Sequence, residues 1–492
     1  MDTGVPHPRF ARAGMREWAG LALLVLPTML STMDFGLLFT ATPSLGATLP
    51  AGGVQQVWIV AGYGVVAAGC GVTAGALGDR IGHRRLLVGC AFLFGLVSFV
   101  AAYPDSADML TITRGALGVC GAALLPAARS LVVALFRSPR QRRLALRVWV
   151  GALLFGGAAG PVVGGVLLHY YWWGSVFLIA LPVMAVVVAA APAVLPESGD
   201  VDAAHPLDMV GLLLSLMVAL AFVWGLSDLA VPGVPGAPLV SLLIGVGAGG
   251  WLVVRRRGNG STTGSAAVLL GGALAGGVGY LAVQFLQVVA GRSALGAGLL
   301  LLPAAGALVA GSVLAPVLAR TFDARQVVAG GLVLAAAGCA VLTAGTAGVV
   351  TGVALVCLGV APTWPLGGRL NRDTATFVAR TGGLAGAALG VAVLGSVALL
   401  AYQGLVRIPP GVPGAAAGDS VAGATATAGE LPAGLGAALL TAARAAVVDA
   451  FDTAALVACC AALVLAALTV LRRRRAATAV TTEPATALRE AA

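Results

Sequence analysis

The feature that most constrains this chain is a succession of apolar runs, most of them about 18 residues or longer, separated by short segments that carry the charges. Apolar residues make up 59% of the chain and charged residues only 10%, whereas about a quarter of a soluble domain is charged. A run of that length crosses the hydrocarbon core of a bilayer as a helix. Soluble, disordered and collagen-like chains are therefore excluded, and the sequence predicts an all-α polytopic membrane protein.

Charges, Pro/Gly turns and polar clusters divide the chain into fourteen predicted transmembrane helices. Two of the intervening segments are unusual: residues 196–206 form a polar hinge, and residues 403–452 form a long Ala/Gly/Pro-rich external loop. The end of that loop, 434–452, is either an amphipathic helix on the outer surface or a plain linker. The predicted helices are 18–45, 54–78, 86–102, 109–136, 144–169, 173–195, 207–226, 239–254, 266–289, 295–319, 327–344, 349–366, 382–402 and 453–471.

These helices predict two bundles of six around a central pair. The chain would begin with a cytoplasmic segment, 1–17, and the first bundle would cover 18–196. The hinge and the two extra helices would occupy 197–257. The second bundle would take its first five helices from 258–402 and its last from 453–471. A cytoplasmic tail, 472–492, would follow. A weak repeat at an offset of 241 residues supports the two bundles, and such repeats are typical of transporters with a site between the halves. The repeated residues are Leu77, Arg84 and Gly89, then Leu318, Arg325 and Gly330.

The basic residues predict the orientation. All 29 are arginines, and a net charge of +10 on its own would suggest a nucleic-acid partner. The placement of the arginines argues against such a partner, because they lie in short clusters between apolar runs. Such clusters mark the cytoplasmic side of a membrane protein. With the N-terminus inside, only Arg292, Arg407 and Arg444 fall outside, while Arg114 and Arg129 lie within the fourth run. We therefore predict a protein of the plasma (inner) membrane, surrounded by lipid, with both termini cytoplasmic and no nucleic-acid partner.

Neither a metal centre nor a catalytic site is indicated. The seven cysteines lie inside apolar runs without a C-x-x-C pair, and the four histidines lie in loops or at the edges of runs. Isolated cysteines of this kind behave as small core residues. A polytopic enzyme would need acidic or histidine side chains that converge at one membrane surface. We expect no catalytic residue, no metal and no cofactor.

Three patterns carry the functional signal. Between the second and third helices the chain reads G-A-L-G-D-R-I-G-H-R-R-L-L, in which the glycines permit a tight turn and Asp79 can cap or neutralise a helix end. In the fifth helix, glycines recur every four residues beside a proline, which allows close packing and a bend. In the fourth helix, Arg114 lies in L-T-I-T-R-G-A-L-G, deep enough that it must face the protein interior or snorkel to the outer surface.

Asp34, in M-D-F-G-L-L-F-T-A-T-P, is the only carboxylate near the middle of any predicted span. A charged Asp at that depth costs about 2.5–3.5 kcal/mol, and desolvation favours its protonated form, so it is suited to picking up and releasing a proton. The alternative is a carboxylate held permanently by a structural partner. A carboxylate locked against a fixed guanidinium, away from any solvent-reachable cavity, would be evidence that overturns the pump interpretation.

These patterns resemble those of the major facilitator superfamily, and together they resemble its fourteen-helix drug:proton antiporter group. The resemblance extends over most of the chain, through Q-Q-V-W-I-V-A-G-Y, W-G-S-V-F-L-I-A-L-P, Q-F-L-Q and G-V-A-V-L-G-S. The first pattern is similar to the signature loop, which implies a latch on one conformation, and the second to the motif associated with exporters. The residues concerned are Gly75, Asp79, Arg80, Gly82, Arg84 and Arg85 in the loop, and Gly156, Gly160, Pro161, Gly164 and Gly165 in the fifth helix.

The chain departs from the group's usual residues at Gly36 and Phe39 in the first helix and at Leu117 in the fourth, where glutamine is usual. Relatives that export polyvalent cations have acids near Ala61 and Arg380. This chain has no acid at either position, so no second carboxylate for a dication is evident. Aromatic and amide groups that could line a cavity, or merely pack between helices, are Trp58, Tyr63, Gln284, Phe285 and Gln287.

The resemblance and the residues together predict proton-coupled efflux of small amphipathic drugs or antibiotics, neutral or monocationic, by alternating access. Asp34 and Arg114 would take part in proton coupling or substrate binding, the proton would be the coupling ion, and the chain would act as a monomer. Other classes remain open: a non-transporting or degenerate paralogue that acts as a membrane sensor, or a polytopic membrane enzyme.

Overall fold

The computed structural model describes residues 13–49, 51–199, 208–228, 240–241, 243–244, 263–370 and 377–481. In these ranges the chain is helical. The helices are α1 Met15–Thr48, α2 Gly53–Ile81, α3 His83–Ala102, α4 Ala107–Leu135, α5 Pro139–Tyr170, α6 Ser175–Leu178, α7 Ala180–Val194, α8 Met209–Asp228, α9 Thr263–Gln284, α10 Ala294–Leu300, α11 Leu302–Leu318, α12 Ala324–Val341, α13 Gly345–Val360, α14 Thr363–Leu370, α15 Phe377–Leu405, α16 Gly414–Asp419, α17 Val421–Glu430 and α18 Ala433–Thr481. A π-helical turn, Phe285–Val289, continues α9.

Within the described residues, twelve helical segments are long and apolar enough to cross a membrane. They match the first six and last six predicted spans. The seventh predicted span corresponds to α8, whose described apolar stretch, Met209–Gly225, is slightly shorter. The eighth, 239–254, lies almost entirely outside the described residues, as do most of the predicted N-terminal segment and C-terminal tail.

Prolines explain two breaks within predicted spans. The sixth span is divided into α6 and α7 because Pro182 has no N–H to donate to the carbonyl of Leu178, where α6 ends. The eighth described span is divided into α10 and α11 for the same reason, since Pro303 cannot donate to the carbonyl of Leu299. Both breaks leave the helix axis free to bend while the span continues.

The two bundles are built by close helix pairs. In the first bundle α1 packs on α5 and α2 on α4, and in the second α9 packs on α15 and α12 on α13. Glycine makes these approaches possible: a Cβ at Gly386 or Gly390 would collide with the backbone of α9, and one at Gly359 with the backbone of α12. The α8 helix packs on both α2 and α15, and therefore lies against both bundles.

We call the end of the molecule with the α2–α3 turn at Gly82 the arginine-rich end, and the end with the α1–α2 turn at Ala51 the opposite end. The long loop predicted for 403–452 belongs to the opposite end, and the structure corrects its description. The α15 helix extends to Leu405, α16 and α17 follow, and α18 begins at Ala433 and runs without interruption into the last span. Residues 434–452 are therefore helical, as one alternative predicted, but they form the first part of the helix that continues into the last span, and the linker alternative is wrong.

Candidate functional site

The two ionisable residues that the sequence places within spans form an ion pair. The carboxylate Oδ2 of Asp34 in α1 lies 2.7 Å from the guanidinium Nη2 of Arg114 in α4. The Arg114 side chain is fully buried and that of Asp34 is 10% exposed. The second terminal nitrogen of Arg114 has no hydrogen-bond partner among the described residues. Attraction between the two opposite charges holds the pair.

Arg114 is fixed by contacts on its other sides. Its Nε donates to the carbonyl of Ile59 in α2 at 3.0 Å. The guanidinium carbon lies 5.1 Å from the ring centre of Tyr63 and 5.8 Å from that of Phe177, within the range of cation–π attraction. The Tyr63 hydroxyl in turn donates to the carbonyl of Ser31, one turn before Asp34. These contacts bring α1, α2, α4 and α6 together around one buried charge.

This geometry decides between several sequence-based alternatives. Arg114 faces the protein interior as expected and does not snorkel, because its side chain is fully buried. Asp34 has a structural partner, which was the alternative to a free proton-binding carboxylate, and this partner is Arg114. Neither residue lines either of the two cavities described below. One part of the arrangement named above as evidence against a pump, a carboxylate held by a fixed guanidinium, is therefore present in this conformation.

The glycine face of α5 positions the helix that carries Asp34. A Cβ at Gly156 would collide with the Met29 carbonyl and the Thr32 hydroxyl, and one at Gly164 would collide with Thr40. Gly160 contacts the α1 backbone in the same way. The predicted close packing is thus confirmed for this face, whereas its association with export is not tested.

The same contact explains one departure from the antiporter group. The Pro161 ring lies where a Cβ on Gly36 would have to be, so a larger side chain at position 36 cannot be accommodated in this packing. Gly165, on the neighbouring face, instead contacts the start of α10 at Leu295 in the second bundle. The α5 helix therefore links the Asp34 helix to the other half of the molecule.

A row of aromatic rings leads from the ion pair toward a cavity between the halves. Ring-centre distances are 5.5 Å between Tyr63 and Phe35, 6.4 Å between Phe35 and Phe39, and 5.6 Å between Phe39 and Tyr280. Tyr280 lines a cavity of about 130 Å³. Phe39, which stands where the group usually has asparagine, thus forms a link in an apolar row. Tyr63 itself lies in the core and does not line this cavity.

The predicted cavity residues are partly brought together. Gln284 and Phe285 line the 130 Å³ cavity, alongside Tyr280, and its wall also includes residues of α2, α15 and α18 and the start of α17. Gln284 and Gln287 also donate to α1, to the carbonyls of Phe39 at 3.5 Å and Thr40 at 3.2 Å. The Phe39 carbonyl is available because Pro43, four residues later, has no N–H. Gln287 is not among the lining residues, so it acts here as a contact between the halves.

Trp58 lines a second, more open cavity of about 550 Å³ at the opposite end. Its wall also includes Asp108 of α4, Trp224 of α8 and Asp419 of α16. Asp108 accepts a hydrogen bond from Gln55 at 2.6 Å. Neither Asp108 nor Asp419 was predicted, because an acid next to a predicted span or in an Ala/Gly-rich segment carries no distinctive sequence pattern.

The signature loop lies at the arginine-rich end. Gly82 has a φ of 96°, a conformation that favours glycine, and a Cβ there would collide with the Glu197 carboxylate. Asp79, in the last turn of α2, contacts the His83 ring at 3.0 Å. Gly75 has open space around its Cβ position, so no neighbouring helix in the described part of the chain requires a glycine there. Arg80 is exposed.

The partner of this loop is Glu197, which follows α7 and was not predicted. Its carboxylate lies 3.3 Å from Arg84 Nε and 3.7 Å from Arg85 Nε, and it accepts the Arg84 backbone N–H at 3.1 Å. The Arg84 guanidinium also donates to the Leu195 carbonyl at 3.1 Å. The sequence feature that could have predicted this role is an acid directly after an apolar span. Glu197 has that position in the P-E-S-G segment, which was interpreted only as a hinge.

Comparison with known proteins identifies the family. Residues 24–399 match the Major Facilitator Superfamily. The chain is 32% identical to the multidrug efflux pump LfrA of Mycolicibacterium smegmatis, over 89% of this chain and 93% of that protein. It is 31% identical to the methyl viologen resistance protein SmvA of Salmonella typhimurium, over 88% of this chain and 93% of that protein.

Solved structures show the same fold. The nucleoside transporter NupG matches with a TM-score of 0.60 at 12% identity, covering 92% of this chain and 99% of that one. A bacterial homologue of the human lysosomal transporter Spinster matches with a TM-score of 0.58 at 16% identity, covering 94% and 99%. The chain therefore belongs to the Major Facilitator Superfamily, a family of transporters and not of enzymes. The predicted resemblance to the fourteen-helix drug-efflux group is confirmed by the two efflux and resistance relatives.

Proposed function

We propose that this protein exports small amphipathic drugs or antibiotics, neutral or monocationic, in exchange for protons. It would act as a monomer in the plasma membrane, with fourteen spanning helices and both termini in the cytoplasm. The arginine-rich end would then face the cytoplasm, in keeping with the positive-inside rule. The observation that carries the proposal is the buried Asp34–Arg114 pair, in a chain related over most of its length to a multidrug efflux pump.

The pair would work as a switch rather than as a constantly open proton site. The two opposite charges hold α1 against α4 while the side chains are in contact. A rearrangement that admits water would allow Asp34 to take up a proton, which would abolish the attraction and free α1 to move relative to α4. Loss of the proton would restore the pair. The row of rings from Tyr63 to Tyr280 offers a contiguous set of contacts through which this change would reach the cavity between the halves.

The proposed exchange has a definite energy supply. One charge that crosses 100 mV provides about 2.3 kcal/mol, which corresponds to a gradient of roughly fifty-fold for a neutral substrate exchanged with one proton. For a monocation the electrical contributions cancel, and only the pH gradient drives export. Compounds of these two classes should therefore differ in how strongly their export depends on membrane potential.

The test of the switch is Asp34→Asn in everted membrane vesicles. Asparagine keeps the shape of the side chain but cannot bind or release a proton, so we expect the variant to reach the membrane and to lose transport that depends on the pH gradient. Asp105→Asn, at an exposed acid in the connection between α3 and α4, is the matched control and should transport normally. Transport at the wild-type level by Asp34→Asn would show that the pair is only a structural brace.

Substrate charge requires a separate experiment. The only acid that the sequence places near the middle of a span is Asp34, and it already faces Arg114, so a dication would find no second mid-membrane carboxylate. We expect neutral and singly charged compounds to be exported better than dications in a size-matched series. The relative SmvA is named for resistance to methyl viologen, which makes that dication a demanding member of the series. Preferential export of the dications would overturn this part of the proposal.

A further inference from the structure

The segment between α15 and α18 joins the two halves of the molecule at the opposite end. The Asp419 carboxylate accepts a hydrogen bond from the backbone N–H of Gly53, the first residue of α2, at 2.9 Å. Gln403, in the last turn of α15, donates to the Asp419 carbonyl at 3.2 Å. The Asp419 carboxylate also accepts from Gln403 at 3.5 Å, so this one residue is bound to the first half through its side chain and to the second half through both side chain and backbone.

The segment is packed as a structured unit rather than as a loose loop. The hydroxyl of Tyr402 donates to the carbonyl of Ala417 at 3.1 Å. Tyr402, Ala417 and Ala424 form a small apolar core with Leu439 of α18. This core attaches the segment to the second half, and the contacts that reach the first half are few: Asp419 on Gly53, and α17 against α1.

The contact with α1 depends on a glycine. A Cβ at Gly46, near the end of α1, would lie against the side chain of Ala422. Ser420 and Val421, the two residues before Ala422, form part of the wall of the 130 Å³ cavity. The segment thus borders, at the opposite end, the cavity that lies between the halves.

We propose that residues 414–430 form a cap and that the Asp419–Gly53 hydrogen bond is its latch, which must open before the cavity can connect with the outside. The first N–H groups of a helix have no partner within the helix, and a carboxylate is favoured there by the helix dipole. Alternating access separates the two halves at one end at a time. A cap anchored to α15 must then leave α2, and the hydrogen bond to Gly53 opposes that separation. The assignment of this end to the outside rests on the proposed function.

A reporter cysteine in the cavity tests the latch. Ala398→Cys places a thiol in the cavity wall, and its labelling by a membrane-impermeant maleimide from outside measures how often the end opens. Asp419→Ala should raise the labelling rate about tenfold, as expected from the loss of a hydrogen bond to a charged group. Asp449→Ala, at an exposed acid of α18, is the control and should leave the rate unchanged. The chain without the reporter corrects for the native cysteines.

A cross-link provides the converse test. Gly52 is exposed and its Cβ position lies 3.4 Å from the Asp419 carboxylate, so a Gly52→Cys/Asp419→Cys disulfide should hold the cap closed. Oxidation should then abolish labelling of the Ala398→Cys reporter, and reduction should restore it. Equal labelling of oxidised and reduced protein, or of Asp419→Ala and Asp449→Ala, would overturn the latch. Labelling does not require transport, so failure of the proposed export would leave this result interpretable.

Discussion

Two ionic assemblies in the described part of the chain differ chiefly in their access to water. Asp34 and Arg114 meet in the interior, with side chains 10% and 0% exposed. Glu197 meets Arg84 and Arg85 at the arginine-rich end, where the carboxylate is 33% and the Arg85 side chain 76% exposed. The first assembly has one carboxylate for one guanidinium, and the second shares one carboxylate between two.

This difference decides what each assembly can do. In a buried ion pair, removing one charge from its partner costs a large amount of free energy, because the other charge stays buried without a counter-charge. The interior pair therefore has only a few permitted arrangements. Exposed charges are screened by water and salt, and each contact contributes little. An interior pair is therefore suited to a switch with distinct states, whereas the surface assembly is suited to a contact that forms and breaks readily.

Removing one partner of the interior pair should have the largest effect. Arg114→Leu leaves the Asp34 carboxyl buried without its counter-charge, and we expect destabilisation of about 3–5 kcal/mol. The measurement is the midpoint of thermal unfolding of the purified protein in detergent. If Arg114→Leu lowered the stability no more than is expected for a variant of the surface assembly, the two assemblies would not differ in the way described.

The double variant Asp34→Leu/Arg114→Leu sharpens this test, because it removes both charges together. Replacement of a buried pair by apolar side chains is often neutral or stabilising, so most of the lost stability should return. If the double variant were as unstable as Arg114→Leu alone, packing at position 114 and not the unpaired charge would be responsible.

The packing that positions Asp34 should show the next largest effect. Gly156→Ala introduces a Cβ against the Met29 carbonyl and the Thr32 hydroxyl, and the forced shift should cost about 1–3 kcal/mol. Gly157→Ala, at the next residue of α5, meets open space and serves as the control. The same unfolding midpoints are compared, and equal values for the two variants would show that α1 does not depend on the glycine face.

The span pattern of the fold was predictable because the length and polarity of each apolar run are local properties. The twelve described spans match predicted ones, and α8 lies where the seventh was expected. The segment around Asp419 was not predictable, since an Ala/Gly-rich stretch has the composition of a linker. Only its contacts with Tyr402, Gln403 and Leu439 show that it packs.

The candidate site was predictable as a set of residues but not as an assembly. Depth in a span singled out Asp34 and Arg114 separately, because burial of a charge is costly whatever surrounds it. Their pairing depends on the relative rotation and height of α1 and α4, which no periodicity in either helix specifies. Gln284 and Gln287 illustrate the same limit, since amides suited to binding a ligand instead donate to the α1 carbonyls of Phe39 and Thr40.

The surface assembly should show the smallest effect. Glu197→Ala removes the contacts with both arginines and the acceptor for the Arg84 backbone N–H, but at this exposure we expect a loss of only about 0.5–1 kcal/mol. Glu430→Ala, at an exposed acid of the opposite end, is the control. The loss should shrink further at about 1 M salt, where charges are screened within about 3 Å. A loss that is both large and insensitive to salt would mean that Glu197 acts mainly through its backbone contact, and the arginine-rich end would then be as constrained as the interior pair.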